Sequence, residues 1–379
     1  MESSGTVPEA PEVEVKRVRG RGRGGGFFAI SHEVWERLWS SDTVNRLNFV
    51  ITYLVLLAGT GSDHRLTKWS ARACEQYTGM GKPRAKQAIE ELIEAELVAR
   101  TDASTRMLPQ YELPPLPLDV EPIFLPVGLV TGLSGEASML RRVRETGDPL
   151  ALRMLVDLYA SVSLDATHGV SISLLHSGKL EAGTPTARKI AEVGAHAVWG
   201  LTAGTWRHAA GDWAVLHRAK TADTEAAWAP FWSRLDLLKQ IGAIWYEPWV
   251  FDGEEPDAEP LFPLDSSGFY AVSKPTDEGE LTRVAADVSR SLVGDERSYI
   301  FDASGADYFL PLTLHRRPPA YREVARLRVE PDTPGRRLAW KRRRTLIEQY
   351  AEAFTHLQQQ ADEGTYNRPM RTTSAGGDQ

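Results

Sequence analysis

The sequence predicts a mostly α fold with small β-wings, α+β in class, and three observations predict it. Trp69 to Tyr77 carries helix formers with apolar residues at helical spacing, and Thr78-Gly79-Met80-Gly81 then supplies two glycines able to take positive φ and end the helix. Pro83 fits the first position of a second helix, where its missing N–H is not needed, and Ala85, Ala88, Ile89, Leu92, Ile93 and Leu97 recur at three and four as one apolar stripe. Leu97 to Arg100 and Met107 to Leu113 flank a polar turn, Thr101 to Arg106, as the arms of a hairpin do. Two helices, a glycine turn between them and a hairpin after them read as a winged helix-turn-helix.

Residues 1–26 combine Pro, Gly and Ser with almost no apolar clustering, so little burial offsets the entropy of ordering, and a disordered basic arm is expected. Phe27 to Ser31 reads as a short strand, Ser31 starts a helix through Trp39, and Leu47 to Leu57 is a strongly apolar helix. With the turn motif these make a first module, 27–113. Leu113 to Pro126 holds five prolines, and 114–149 is expected to be a linker.

A second winged-helix-like domain is expected over 150–255, because Leu150 to Leu164 repeats the aliphatic helix and Phe231 to Tyr246 repeats the helix-into-strand pattern of Gln87 to Val98. Between them, residues 165–228 form a Trp-rich insertion in which Trp199, Trp206 and Trp213 fall seven apart, on one face if helical. Residues 256–330 read as an acidic linker with a small β region, Tyr299 to Asp302 pairing with Tyr308 to Leu310 around Ser304-Gly305. A basic C-terminal helix over 331–361 carries Leu338, Ile347, Tyr350, Phe354 and Leu357 as its stripe, and 362–379 is expected to be a disordered tail.

Charge on the second helix of the turn motif runs against its dipole. Lys82, Arg84 and Lys86 crowd its start and Glu90, Glu91, Glu94 and Glu96 its end, whereas the macrodipole favours the reverse by roughly 0.3–1 kcal/mol per charge. A first turn that approaches phosphates or base edges in a major groove needs cations and free N–H groups at that end. Arg84, Lys86 and Gln87 are therefore the candidate base readers, Lys82 a phosphate contact, and Arg100 and Arg106 contacts from the wing. In the arm, Lys16, Arg17, Arg19, Arg21 and Arg23 place five cations in eight residues, as in RG-rich nucleic-acid arms. Lys341, Arg342, Arg343 and Arg344 form a further basic cluster; both would add affinity that falls with salt. Thr313 to Arg344 holds eleven Lys or Arg against three acids, while Asp252 to Glu280 holds nine acids and one lysine, so one stretch attracts phosphate and the other repels it.

The order Phe27-Phe28-Ala29-Ile30, aliphatic helix, turn motif and wing resembles the N-terminal winged-helix domain of plasmid and phage replication initiators, and the second module resembles their tandem plan. The insertion 165–228 departs from that plan. The resemblance implies double-stranded DNA as partner and a role in replication initiation, partitioning or transcription control of a mobile element.

A net charge of −7 argues against indiscriminate coating of nucleic acid. Cys74 stands alone, which excludes a disulfide framework and a cysteine zinc site. Phe49 to Ala58 is the longest apolar run and falls short of the roughly 20 residues that span a bilayer, and the N-terminus lacks a charged-then-apolar signal, so no membrane passage and a cytoplasmic location are expected. Gly81-Lys82 and Ser177-Gly178-Lys179 lack the rest of a P-loop, Gly132-Leu133-Ser134-Gly135 is not a nucleophile elbow, and His208, Asp212 and His217 do not share a helical face. No catalysis, cofactor or metal is expected. A tyrosine-based nicking or joining enzyme would use Tyr350, which follows a basic cluster but lies on an apolar stripe, as core tyrosines do. The rival reading is a protein-binding adaptor or scaffold that uses the winged helix and the Trp-rich region, through which a protein partner or second copy would also dock.

Overall fold

The computed structural model describes residues 26–117, 119–133, 135–164, 167–171, 187–202, 216–220, 224–255, 258–265, 277–364 and 366. Helix outweighs strand, 47% to 19%, and the named strands pair antiparallel in small sheets, so the class is mixed α/β, compatible with α+β.

The first module begins with β1 (Phe27–Ile30) and α1 (His32–Ser40), where Ser31 Oγ accepts the Val34 N–H as N-cap at 3.2 Å. Asn45 caps α2 (Arg46–Ala58) in the same way, and because α2 is apolar on every side it is buried from Phe49 through Ala58. β2 (Leu66–Thr67) leads into α3 (Ala71–Thr78), which Gly79 ends at φ +67°. α4 (Lys82–Glu94) packs on α2 and α3 through Ala85, Ala88, Ile89 and Leu92, the two alanines allowing close approach. β3 (Ala99–Arg100) and β4 (Tyr111–Glu112) complete a three-stranded sheet of order β2–β4–β3.

Residues 114–149 depart from the expected linker. β5 (Ile123–Pro126) pairs along its whole length with β1, Phe27 opposite Pro126 and Ile30 opposite Ile123. α5 (Gly128–Thr131) and α6 (Met139–Thr146) then bury Leu129, Val130, Met139, Leu140 and Val143 in the core shared with α2. Pro122 and Pro126 bound a strand here instead of stiffening a connector.

Part of the order of the first half recurs in the second, without a counterpart of α3 among the described residues. α7 (Pro149–Ala160), β6 (Val170–Ser171), α8 (Thr224–Gln240) and β9 (Ile244–Phe251) correspond to α2, β2, α4 and β3. The strand that corresponds to β4 comes far later, as β12 (Ala320–Leu327), and pairs antiparallel with both β6 and β9. The order β6–β12–β9 thus matches β2–β4–β3, with β10 (Pro260–Pro263) added outside β9. The helix ends match as well: Leu97 N–H reaches the Leu92 carbonyl across Glu96 at φ +55°, and Ala243 N–H reaches the Leu238 carbonyl across Gly242 at φ +70°. One hydrophobic core runs through both halves, from Phe28 through Leu56 and Leu155 to Leu238 and Leu327.

Between β9 and β12 lie β10, α9 (Asp277–Val293), α10 (Tyr299–Ser304) and β11 (Tyr308–Thr313). With β7 (Ala187–Val193) and β8 (His196–Leu201), β11 forms a sheet of order β11–β8–β7 over a second core. α11 (Pro334–Asp362) closes that core against α9 and β10. Two expectations are corrected here. The stretch 256–330 is not a linker, since α9 buries Leu281, Ala285, Val288 and Leu292. Tyr299 to Asp302 is the start of helix α10, with Phe301 buried and Gly305 ending it at φ +66°, and β11 pairs with β8 instead. Trp199 lies on β8, so the Trp repeat does not begin on a helix; Trp206 and Trp213 lie outside the described residues.

Candidate nucleic-acid interface

α4 turns its apolar stripe inward, which leaves Lys82, Arg84, Lys86 and Gln87 exposed around the rest of its circumference. Its N-cap is Gly81, which offers no side-chain hydrogen bond, and the Ala85 N–H is the first to find a helical carbonyl. The Lys82 and Arg84 N–H groups therefore lack an internal acceptor, Pro83 between them having no N–H. Gln87 Nε2 donates to Glu91 Oε1 at 2.9 Å.

The two ends of α4 are treated differently. At the acidic end, Arg37 of α1 donates to the Ala95 carbonyl at 3.3 Å and the Glu96 carbonyl at 3.5 Å, and Arg100 of β3 pairs with Glu90. Cations thus meet the C-terminal carbonyls and the acids of the last turns. At the basic end, Lys82, Arg84 and Lys86 take part in no ion pair among the described residues. The unfavourable charge order is relieved at one pole and left open at the other. Lys68 and Arg72, before and on α3, are exposed as well, and sequence reasoning had not singled them out.

Arg100 is exposed but engaged by Glu90, and Arg106 is exposed at the tip of the β3–β4 hairpin. That tip is tightly bonded: Thr105 N–H reaches the Leu108 carbonyl at 3.1 Å, and Leu108 N–H reaches Thr105 Oγ1 at 3.0 Å. It presents Met107 and Leu108 at 86% and 76% exposure.

The C-terminal cluster divides. Lys341, Arg342 and Arg344 are exposed, whereas Arg343 is buried and withdrawn from any external partner. Arg343 reaches Glu247 and Glu278, Arg326 reaches Glu247 at 3.0 Å, and the guanidiniums stack on Trp249 and Trp340. Arg316 pairs with Asp252 and Arg317 with Glu255. Three cations of the basic stretch 313–344, Arg316, Arg317 and Arg343, thus pair with acids of the stretch 252–280, where the sequence alone suggested that each stretch faced a different partner. Arg19, Arg21 and Arg23 lie outside the described residues.

At the positions of α8 that match α4 through the shared helix ends, Trp228, Pro230, Trp232 and Ser233 stand where α4 has Lys82, Arg84, Lys86 and Gln87. None of these four α8 positions carries a cation, although Arg218 lies over the Trp228 ring. Trp228 and Trp232 are half-buried against Phe231 instead.

Other chemistry is accounted for by packing. Burial pushes the Cys74 thiol up to about 12. Tyr350 packs 4.6 Å from Phe262 between ring centroids, and burial raises its pKa, so it remains a protonated core residue. His217 is buried beside Phe231, while His208 and Asp212 lie outside the described residues. No group of three metal-ligating side chains occurs, and no helix is long and apolar enough to cross a membrane, among the described residues. Comparison with protein-family models, with curated proteins and with solved structures returns no match to this chain.

Proposed function

We propose that the chain binds double-stranded DNA, with residues 27–113 acting as a winged helix whose α4 enters the major groove by its first turn. The observation that carries this reading is the open cationic pole of α4: Lys82, Arg84 and Lys86 stand exposed over an uncapped helix start while the acidic end is neutralised by Arg37 and Arg100. Arg84, Lys86 and Gln87 are the base readers, Lys82 holds phosphate, and Arg106 meets the backbone from the wing. Lys341, Arg342, Arg344 and the arm cations Arg19, Arg21 and Arg23 add attraction without sequence preference. The repeated strand order β6–β12–β9 supports a tandem winged-helix plan in which only the first module reads DNA. Replication initiation, partitioning or transcription control of a plasmid or phage are the roles this reading leads to.

Mobility shift of a duplex by the full chain tests it. Arg84→Glu abolishes the shift with the melting temperature unchanged, and the wild-type shift weakens steeply with salt; an equal shift from both proteins refutes the reading. An adaptor is the second reading, favoured by the exposed Met107 and Leu108 on a rigid hairpin tip. An adaptor binds its protein partner as well after Arg84→Glu as before.

A further inference from the structure

The turn between α3 and α4 is held by α6, a helix the sequence assigns to a linker. Ser138 Oγ donates to the Tyr77 carbonyl at 2.6 Å; Arg144 Nε donates to the Thr78 carbonyl at 2.8 Å and its Nη2 to the Gly79 carbonyl at 3.4 Å. These acceptors belong to the end of α3, where a helix leaves carbonyls without partners, so Arg144 is fixed against the turn by its capping bonds. A Cβ built on Gly79 would stand 3.5 Å from Arg144 Nη2 and 3.6 Å from Arg141 Nε. Both guanidiniums therefore border the exposed turn that feeds the cationic start of α4.

Neither charge is consumed there. Arg141 pairs with Glu145 at 2.9 Å one turn along the same exposed helix face, and such i,i+4 pairs contribute only about 0.3–0.5 kcal/mol. A phosphate offers two charge-assisted acceptors that match the guanidinium fork. Arg144 uses two of its five N–H donors on the turn and keeps the rest.

We propose that Arg141 and Arg144 contact a backbone phosphate of the duplex that α4 reads, so that α6 forms the second wall of the interface. Arg141 exchanges Glu145 for the phosphate, and Arg144 brings a charge already oriented by the α3 carbonyls. The inference rests on the DNA reading above and adds to it a contact that carries affinity without sequence preference.

Fluorescence anisotropy of the full chain with a fluorescein-labelled mixed-sequence duplex, from about 50 to 200 mM salt, tests it. Arg141→Gln lowers the slope of log K against log salt by about 0.9, the value of one phosphate contact, and Arg144→Gln does the same. Glu145→Gln, which frees Arg141, tightens binding. Because Arg144→Gln also removes a cap and can unfold the turn, Arg141→Gln at unchanged melting temperature is the deciding variant. An unaltered slope in Arg141→Gln, with Arg84→Glu still releasing the duplex, overturns the α6 contact and leaves the DNA reading standing. A wild-type chain without salt-dependent binding overturns both.

Discussion

Both Nη atoms of Arg343 on α11 donate to the carboxylate of Glu247 on β9, at 2.8 and 2.7 Å, with the arginine side chain 2% exposed. Glu247 also accepts from Arg326 and from the Trp249 indole, so one carboxylate ties the C-terminal helix to two strands of the second sheet. Removing Arg343 leaves Glu247 with Arg326 and the Trp249 indole but takes away two buried charge-assisted hydrogen bonds, which costs about 1–3 kcal/mol. Arg343→Met is expected to lower the unfolding free energy by that amount in urea titration. Arg344→Gln, one residue on and exposed, changes it by less than about 0.5 kcal/mol.

Acid should weaken the fold between pH 6.5 and 4. Burial first, and then Arg326, Arg336 and Arg343, pull the His168 pKa down from 6.5 to about 4. Glu330 Oε2 lies 3.5 Å away, but Arg336 and Arg326 already claim that carboxylate. Burial, followed by Arg234 and Arg153, lowers His217 to about 4 as well. In that window the unfolded chain binds more protons than the folded one, so stability falls as pH falls. Asp157 acts in the opposite sense, because burial raises it to about 6 and the folded chain holds the extra proton below that pH. Burial lowers His64 and His196 too, and the four histidines outweigh the two raised carboxyls, Asp157 and Glu323. Melting temperatures measured across the window should drop with acid, and His168→Gln should flatten the drop; a flat wild-type profile refutes the argument.

Glu96 sits at φ +55° where its counterpart in the second half is Gly242 at φ +70°. A side chain in this region costs roughly 1–2 kcal/mol, of which glycine's greater freedom when unfolded takes back part. Glu96→Gly is expected to stabilise the protein by about 0.5–1 kcal/mol. Gly242→Glu is expected to destabilise it, with Arg328 Nη1 only 3.3 Å from the new Cβ.

Gly81 needs no glycine: its φ is −58° and nothing lies within 4 Å of an added Cβ. Gly81→Asp gives α4 the cap it lacks, worth a few tenths of a kcal/mol, and fills the N–H groups proposed to meet phosphate. Melting temperature should rise slightly while duplex affinity falls at least tenfold. Unchanged affinity would mean that the start of α4 does not touch the polyanion.

The first module was legible because its signals are local. Ser31, Gly79 and Pro83 mark helix ends, and the Ala85 to Leu92 stripe sets the buried face of α4. β5 was missed because a strand whose partner, β1, lies almost a hundred residues earlier leaves only Ile123, Phe124 and Leu125 between prolines. Leu281, Val284, Ala285, Val288 and Leu292 do carry helical spacing, but the acidic composition before them masked α9. The partners of Arg343 could not be read at all, since Glu247 and Glu278 are brought to it by tertiary packing. At the interface, the cations of α4 were visible, whereas Arg141 and Arg144 became visible only when α6 was seen against the α3 turn.

The second sheet receives its middle strand, β12, only after the elements between Asp252 and Pro319. During synthesis, β6 and β9 emerge with nothing between them, and β9 must wait with an open hydrogen-bonding edge until residue 327 has left the ribosome. A premature stop in that interval yields a chain prone to self-association, although residues 27–113 are already made.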